Sequence, residues 1–417
     1  MRLPFKTVQQ VTAWRLCLGC GACAFVCPEK KIRLVDVEEE GIRPVLANEA
    51  CAACTLCLDV CPGYENDHTL LSNGSGGLPE LKTVCGTVLE IWEGHAHDPE
   101  IRFKGSSGGL ITALSAYCLE QAGMHGVLHI GGDPADPIRN RTFFSRSRAE
   151  LLSRAGSRYA PASACDRLDL IESAPAPCVF IGQPSEVTAL RKTQRLRPEL
   201  NEKVGLAVSF FCAGSPATKG TLELLRSHRV DLSRIQELRY RGNGWPGHFT
   251  VTLKGESAPA LRMTYKDSWG IVQAYRPFSV HLCPDGTGED ADISCGDPWY
   301  REVKEGDPGS SLVLARTRQG SRIIRGAMDA GYIHLEPSTP QRLIDSQRNL
   351  LAKRGAVWGR TGTLRLLGIP APKLKGFHLF KSWCRLPLED KLRSTFGTAR
   401  RVLVRKYFRP TRPRTRA

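Results

Sequence analysis

An α/β domain with a mixed sheet, set between a small cysteine-rich α+β module and a basic helical tail, is the fold class this sequence predicts. Three observations predict it: two identical cysteine runs within the first 62 residues, alternating strand-like and helix-like patterns from residue 107 onward, and positive charge concentrated after residue 372.

With 417 residues, 41% hydrophobic and 24% charged, the chain is long enough for a sizeable core and ordinary in composition for a folded protein. The opening MRLPFKTVQQ lacks the apolar stretch of a leader, and no run approaches the roughly 18 apolar residues of a spanning helix. The expectation is a cytoplasmic protein, neither exported nor integral to a membrane. Half of the sixteen cysteines fall in runs with metal-ligand spacing, which suits a reducing compartment better than a disulfide framework. The net charge of +16 is unevenly spread. Residues 373–417 hold 14 Lys or Arg against Glu389 and Asp390, a net of +12, which leaves +4 for the first 372 residues. The body is therefore not a nucleic-acid surface.

Cys17, Cys20, Cys23 and Cys27 stand as C-x2-C-x2-C-x3-C before Pro28, and Cys51, Cys54, Cys57 and Cys61 repeat the spacing before Pro62. This is the run of bacterial ferredoxins with two 4Fe-4S clusters, in which the fourth cysteine of each run ligates the other cluster. One cluster is thus assigned to Cys17, Cys20, Cys23 and Cys61, and the second to Cys51, Cys54, Cys57 and Cys27. Zinc would take two separated pairs closing one tetrahedron and has no use for a third cysteine at the same interval. Between the runs, IRLVDVEEEGIRPVL reads as two strands about a turn at Glu40 and Gly41, which completes a ferredoxin-like module over residues 1–75.

After the loop SNGSGGLPE, residues 107–122 carry a helical apolar period, and GVLHIGG, CVFIG and GLAVSFF read as buried strands. Helices are expected at 186–197 and at 216–228, with Pro216 in the first turn. Residues 235–278 read as β-rich, and 310–353 as strand, helix, strand, helix. Ser106 to Gly109 sit at a helix start, where backbone N–H groups suit an anion or an ordinary cap. GSRYAP at 156–161 and RGNGWPG at 241–247 are loops that suit turns or binding walls. No G-x-G-x-x-G follows a strand.

The run from SSGG through GSRYAP, GQPSEVTALRK, FFCAGSP, YRGNGWPG and CPDGTGEDADISCGDPW resembles the coenzyme F420 hydrogenase/dehydrogenase beta subunit family over about residues 85–350. The resemblance implies a flavin-binding domain over 80–372, with an N-terminal part at about 85–165 and a C-terminal part at about 175–350. It implies FAD against Ser107, Gly108, Gly109, Ser157, Arg158 and Tyr159, with Gly244, Trp245 and Pro246 beside them. The function it implies is an iron–sulfur flavoprotein oxidoreductase with an organic substrate; the alternative is an electron-transfer subunit with none of its own. The partner is then a ferredoxin-like donor or an oxidoreductase subunit.

Two departures from the family matter. Where relatives read G-T-P-C-Q, this chain has Ser185 in place of the cysteine, and where they have C-x2-C before P-D, it has Val280 ahead of Cys283. Cys212 and Cys283 remain, and with two ligands gone no third cluster is expected. The two read as buried small apolar residues. Cys85, Cys118, Cys165, Cys178, Cys295 and Cys384 show no ligand spacing, and His248 and His281 read as structural. No catalytic side chain is assigned.

In the tail, Leu392, Phe396, Ala399, Leu403 and Tyr407 recur at helical spacing among Lys391, Arg393, Arg400, Arg401, Arg405 and Lys406. This pattern suits either peripheral contact with the inner membrane face or packing on the body.

Overall fold

A computed structural model describes residues 5–47, 51, 54–70, 76–304 and 306–411. Parts of the expected loop after residue 71 and the end of the basic tail, residues 412–417, lie outside the described residues.

The cysteine module contains the expected hairpin. Strands β1 (Ile32–Val37) and β2 (Gly41–Leu46) pair antiparallel about Gly41, whose φ of 81° the turn requires. Each cysteine run supplies one short helix, Ala22–Val26 and Leu56–Asp59. A third strand, β3 (Glu65–Asp67), leaves the module.

The large region follows the alternation seen in the sequence. Its strands are β4 (Glu90–Ala96), β5 (Val127–Gly132), β6 (Asn140–Ser145), β7 (Cys178–Gly182) and β8 (Val204–Phe210), then β9 (Ile235–Arg239), β10 (His248–Leu253) and β11 (Leu261–Thr264), then β12 (Ile293–Gly296), β13 (Ser311–Ala315) and β14 (Ile333–Pro337). Eight of them form one sheet in the order β14-β4-β13-β12-β8-β7-β5-β6. Pairing is parallel from β12 through β8 and β7 to β5 and antiparallel at both margins, so the sheet is mixed, as expected. The strands β9 to β11 make a separate antiparallel sheet, and a helix at Tyr265–Val272 interrupts the segment read as β-rich. Pro216 is not in a first helical turn: the helix runs Thr218–Ser227 behind Ala217.

Alternate residues of the buried strands feed two cores. Val127, Val179, Leu206 and Val313 pack with Leu110 and Leu114 of the helix Leu110–Glu120 and with Ile323 and Ile324 of Arg318–Asp329. On the opposite face Leu128, Phe180 and Ala207 pack with Val187 and Leu190 of Pro184–Leu196, and with Ala22, Phe25, Val26 and Val60 of the cysteine module. The module thus completes one core of the sheet.

Residues 373–411 are also part of the fold rather than a free tail. Strand β15 (Lys373–Lys375) pairs parallel with β3, and Phe377 is buried. The helix Leu388–Val404 lies against Arg348–Leu366, where Gly359 leaves room for the Ser394 side chain. Val402 shares a core with Val8, Val11, Leu16, Cys23 and Cys57.

A buried ion network ties these parts together. His68, just after β3, sits 3.3 Å from an Asp290 oxygen and 3.6 Å from a Glu289 oxygen. Arg354 bonds Glu289 and also donates to the Phe377 carbonyl at 2.9 Å. Burial alone would lower the His68 pKa, but Asp290 and Glu289 outweigh it and lift it to about 9. A histidine raised in the fold stabilises fully below its unfolded pKa of 6.5, and that contribution is lost as pH rises through about 9. Urea midpoints measured across that window are expected to fall, with a loss on the order of a few kcal/mol. The H68N protein is expected to start lower and to lose that part of the slope.

Candidate metal centre and cofactor-binding loops

The first cysteine run wraps a void because Gly19 and Gly21 hold φ of 81° and 86°, the left-handed region that other residues rarely adopt. A Cβ on Gly21 would meet the Asp166 backbone nitrogen at 2.9 Å. Cys17, Cys20, Cys23 and Cys61 together line a pocket bordered by Val8, Leu34, Pro44 and Pro62. Three of these cysteines come from the first run and the fourth from the second. Burial pushes the Cys20 and Cys23 thiols well up and Cys61 to about 12, and the neighbouring thiols push the same way. Such a ring ionises only when a cationic centre offsets the burial. Soft sulfur donors around a common pocket fit an iron–sulfur cluster. Lys192 donates to the Cys61 carbonyl at 3.2 Å and the Glu65 carbonyl at 2.5 Å, bringing a positive charge beside the ring.

Cys57 faces a different set. Burial raises its thiol, a backbone hydrogen bond lowers it, and Cys51, Cys54 and Cys27 then add like-charge terms. Cys27, Cys51 and Cys54 are half-buried, whereas the first ring is fully buried.

The loops that family resemblance assigns to a flavin do meet. Ser157 N donates to Ser106 Oγ at 2.5 Å, and Gly244 N donates to the Phe103 carbonyl at 3.0 Å. Ser107 Oγ donates to the Ser310 carbonyl at 2.5 Å, and Gly108 N donates to Ser311 Oγ at 2.8 Å. A Cβ on Gly108 would stand 2.6 Å from the Gly94 carbonyl oxygen, so the glycine there serves close approach to β4. The helix after Gly109 begins at Leu110 rather than at Ser107.

Arg158 is spent on the protein itself. Its guanidinium donates to Asn140 Oδ1 at 2.8 Å, the Leu238 carbonyl at 2.5 Å and the Pro137 carbonyl at 2.7 Å, clamping the β5–β6 turn to β9. Tyr159 packs with Tyr240, Tyr265 and Trp269. Trp245 precedes Pro246 through a cis peptide, stacks on Trp299 at 5.4 Å, and donates its indole N–H to Asp297 at 2.8 Å.

Spacing missed the pair at the centre of these loops. Arg241 donates two parallel bonds to Asp297, at 2.9 and 2.8 Å, and lies 4.5 Å from the Tyr265 ring centre. Both residues fall in the quoted segments YRGNGWPG and CGDPW, but 56 positions apart nothing local couples them.

A second, partly open cavity shares Leu18 and Gly19 with the wall of the thiol ring. It is lined by Ser185, Cys212, Val280 and Cys283, the four positions where the family pattern carries cysteines. Cys212 and Cys283 are half-buried at the cavity wall, not packed as small apolar core residues. The reason is local: Cys212 donates to Gln183 Oε1 and Cys283 to the Asp285 carbonyl, each at 3.5 Å, so both thiols are held at the surface of the void. Lys353 also lines it and donates to the Ala213 carbonyl at 3.2 Å. Burial, then the Arg360, Arg401, Arg276 and Lys353 charges, press the His281 pKa down to about 2.

Thiols gathered in the wall of an α/β sheet suit an iron–sulfur protein. Sequence models of the beta subunit of coenzyme F420 hydrogenase/dehydrogenase match over residues 91–168 for its N-terminal part and 177–341 for its C-terminal part, and a 4Fe-4S dicluster domain matches over 12–66. The chain belongs to this family of F420-dependent oxidoreductases and carries an N-terminal 4Fe-4S dicluster domain. It is 22% identical to a coenzyme F420-dependent sulfite reductase of Methanocaldococcus jannaschii over 81% of this chain and 49% of that protein, so it spans about half of that relative. It is 26% identical to the coenzyme F420 hydrogenase subunit beta of Methanosarcina barkeri, over 60% of this chain and 83% of the relative. A chain of the F420-reducing [NiFe] hydrogenase complex of Methanosarcina barkeri shares the fold, with a TM-score of 0.51 and 22% identity, covering 72% of this chain and 99% of that one.

The crossing of Cys61 into the first ring is testable. In C61S the first cluster is expected to be lost, leaving about half the iron in a form that a chelator strips more quickly, because three of its four thiols are half-buried rather than buried. In C27S the iron that remains is expected to resist the chelator. Iron release followed by absorbance checks both.

Proposed function

We propose that this chain is an iron–sulfur flavoprotein that exchanges electrons between two 4Fe-4S clusters and FAD and reduces or oxidises an organic substrate. The observation that carries the reading is the pocket ringed by Cys17, Cys20, Cys23 and Cys61 in the wall of the α/β sheet. Bound there, clusters supply one-electron transfer, and a flavin supplies the two-electron step that an organic substrate needs.

The chain's own residues divide the work. Cys17, Cys20, Cys23 and Cys61 would hold one cluster, with the Lys192 ammonium beside it to offset negative charge. Cys27, Cys51, Cys54 and Cys57 would hold the other; three of these four are half-buried, which suits electron exchange with a ferredoxin-like donor or an oxidoreductase subunit. For FAD we retain the three meeting loops: Ser107, Gly108 and Gly109; Ser157, Arg158 and Tyr159; and Gly244, Trp245 and Pro246. Within that set Arg158 acts by positioning loops. The Arg241–Asp297 pair fixes the third loop through the Trp245 indole and the Pro246 carbonyl.

Coenzyme F420, which relatives carry in their names, is the first substrate to test. The cavity between Cys212 and Cys283 offers two thiols, a serine and a valine, and we assign no third cluster to it. The setting is the cytoplasm, where exposed thiolate clusters persist.

A second reading, an electron-transfer subunit with no substrate of its own, is favoured by one finding: the chain aligns with 99% of a single chain from a multi-subunit hydrogenase. Anaerobically purified protein is expected to carry about eight irons and one releasable FAD per chain. About twelve irons would refute the two-cluster inventory, and clusters without flavin would refute the flavoprotein reading. Turnover of F420 by the isolated chain with dithionite supports the enzyme; turnover only with an added partner supports the subunit.

A further inference from the structure

The helix Leu388–Val404 carries two separate faces. At about 100° per residue, Ser394, Thr398 and Val402 share one side, and Leu388, Leu392, Phe396 and Leu403 lie roughly 120° round from it. The body covers the first side: Ser394 Oγ accepts from the Trp383 indole at 3.1 Å, and Val402 is buried in the core of the cysteine module. The apolar side faces outward. Leu388 is 70% exposed, Leu392 46%, Phe396 71% and Leu403 63%, with Val404 at 71% beside them. Arg400 borders this side next to the Glu389–Arg393 ion pair, and exposed Arg401, Arg405 and Lys406 follow towards the end of the helix.

A row of large apolar side chains held in water is costly and marks a contact surface. Its charge selects the occupant. A second copy of this chain would bring a like-charged helix from a protein of net charge +16. A helix with an apolar stripe and a cationic surround matches an anionic bilayer, which takes up the stripe at the acyl boundary and the cations at the phosphates.

We infer that Leu388–Val404 is an interfacial helix that seats this protein on an anionic membrane. Its far end is fastened to the cysteine module: Arg15 Nη1 donates to the Arg409 carbonyl at 3.0 Å, Thr411 N donates to the Ala13 carbonyl at 3.0 Å, and the Arg15 guanidinium lies 4.6 Å from the centre of the Tyr407 ring. Seating the helix therefore brings the cluster module against the membrane surface, about one helix diameter of ~10 Å away. The redox partner class this implies is one held at the membrane. The inference stands apart from the flavin reading, since neither the stripe nor its fastening involves the flavin loops.

The test is sedimentation of the full, cluster-loaded chain with vesicles of phosphatidylglycerol and phosphatidylcholine in equal parts, and with vesicles of phosphatidylcholine alone. Binding to the mixed vesicles, weakened by salt and at least tenfold poorer on phosphatidylcholine alone, is expected. The variant L392S/F396S/L403S is expected to lose roughly tenfold or more in partitioning while keeping its iron content, since these side chains are exposed. The variant R400E/R401E is expected to lose the preference for the mixed vesicles. Failure of the parent protein to sediment with mixed vesicles overturns the inference. So does equal binding by the triple-serine variant, or a stripe-dependent dimer in the absence of lipid.

Discussion

The apolar contact between the first cysteine run and the sheet is the interaction on which the rest depends. Phe25 and Val26 lie between Cys23 and Cys27, and Val60 precedes Cys61; all three are buried against Leu128, Phe180 and Leu190. Burying a side chain of that size is worth about 1.5–3 kcal/mol. Because these residues alternate with the thiols, placing them in the core fixes where the thiols point. The ring of Cys17, Cys20, Cys23 and Cys61 is thereby built into the wall of the α/β region instead of swinging on a linker.

That arrangement has an electrical consequence. A buried ring next to a sheet is shielded from water, so the charge of whatever it holds is felt strongly by its neighbours. Lys192 is the neighbour placed to respond, and the second cavity opens on the other side of the shared Leu18 and Gly19 wall. In the second set Cys57 is buried like the first ring, whereas Cys27, Cys51 and Cys54 are half-buried.

The cysteine runs were legible in the sequence because their geometry is local: three thiols within seven residues and a proline after the fourth need no tertiary knowledge. Strands β5, β7 and β8 were legible for a similar reason, being short continuous apolar runs. What stayed hidden was set by contacts between distant residues. Arg241 finds Asp297 only once two sheets have formed, and family resemblance set Arg158 against a flavin whereas its four acceptors are protein atoms. The segment after residue 372 read as a tail because lysines and arginines dominate it, yet Phe377 and Val402 are buried. In its helix the obvious apolar row is the exposed one, while the packed side is built from Ser394, Thr398 and Val402 against the small Gly359. Periodicity marks an amphipathic helix but does not tell which side the protein covers.

The central claim is that all cluster iron is held by the two crossed cysteine sets and none by the cavity between Cys212 and Cys283. An iron anomalous difference map from crystals of anaerobically purified protein tests it most directly. The expected result is two peaks, one inside Cys17, Cys20, Cys23 and Cys61 and one inside Cys27, Cys51, Cys54 and Cys57. A peak beside Cys212 and Cys283, or Cys61 ligating the second cluster, would contradict the account.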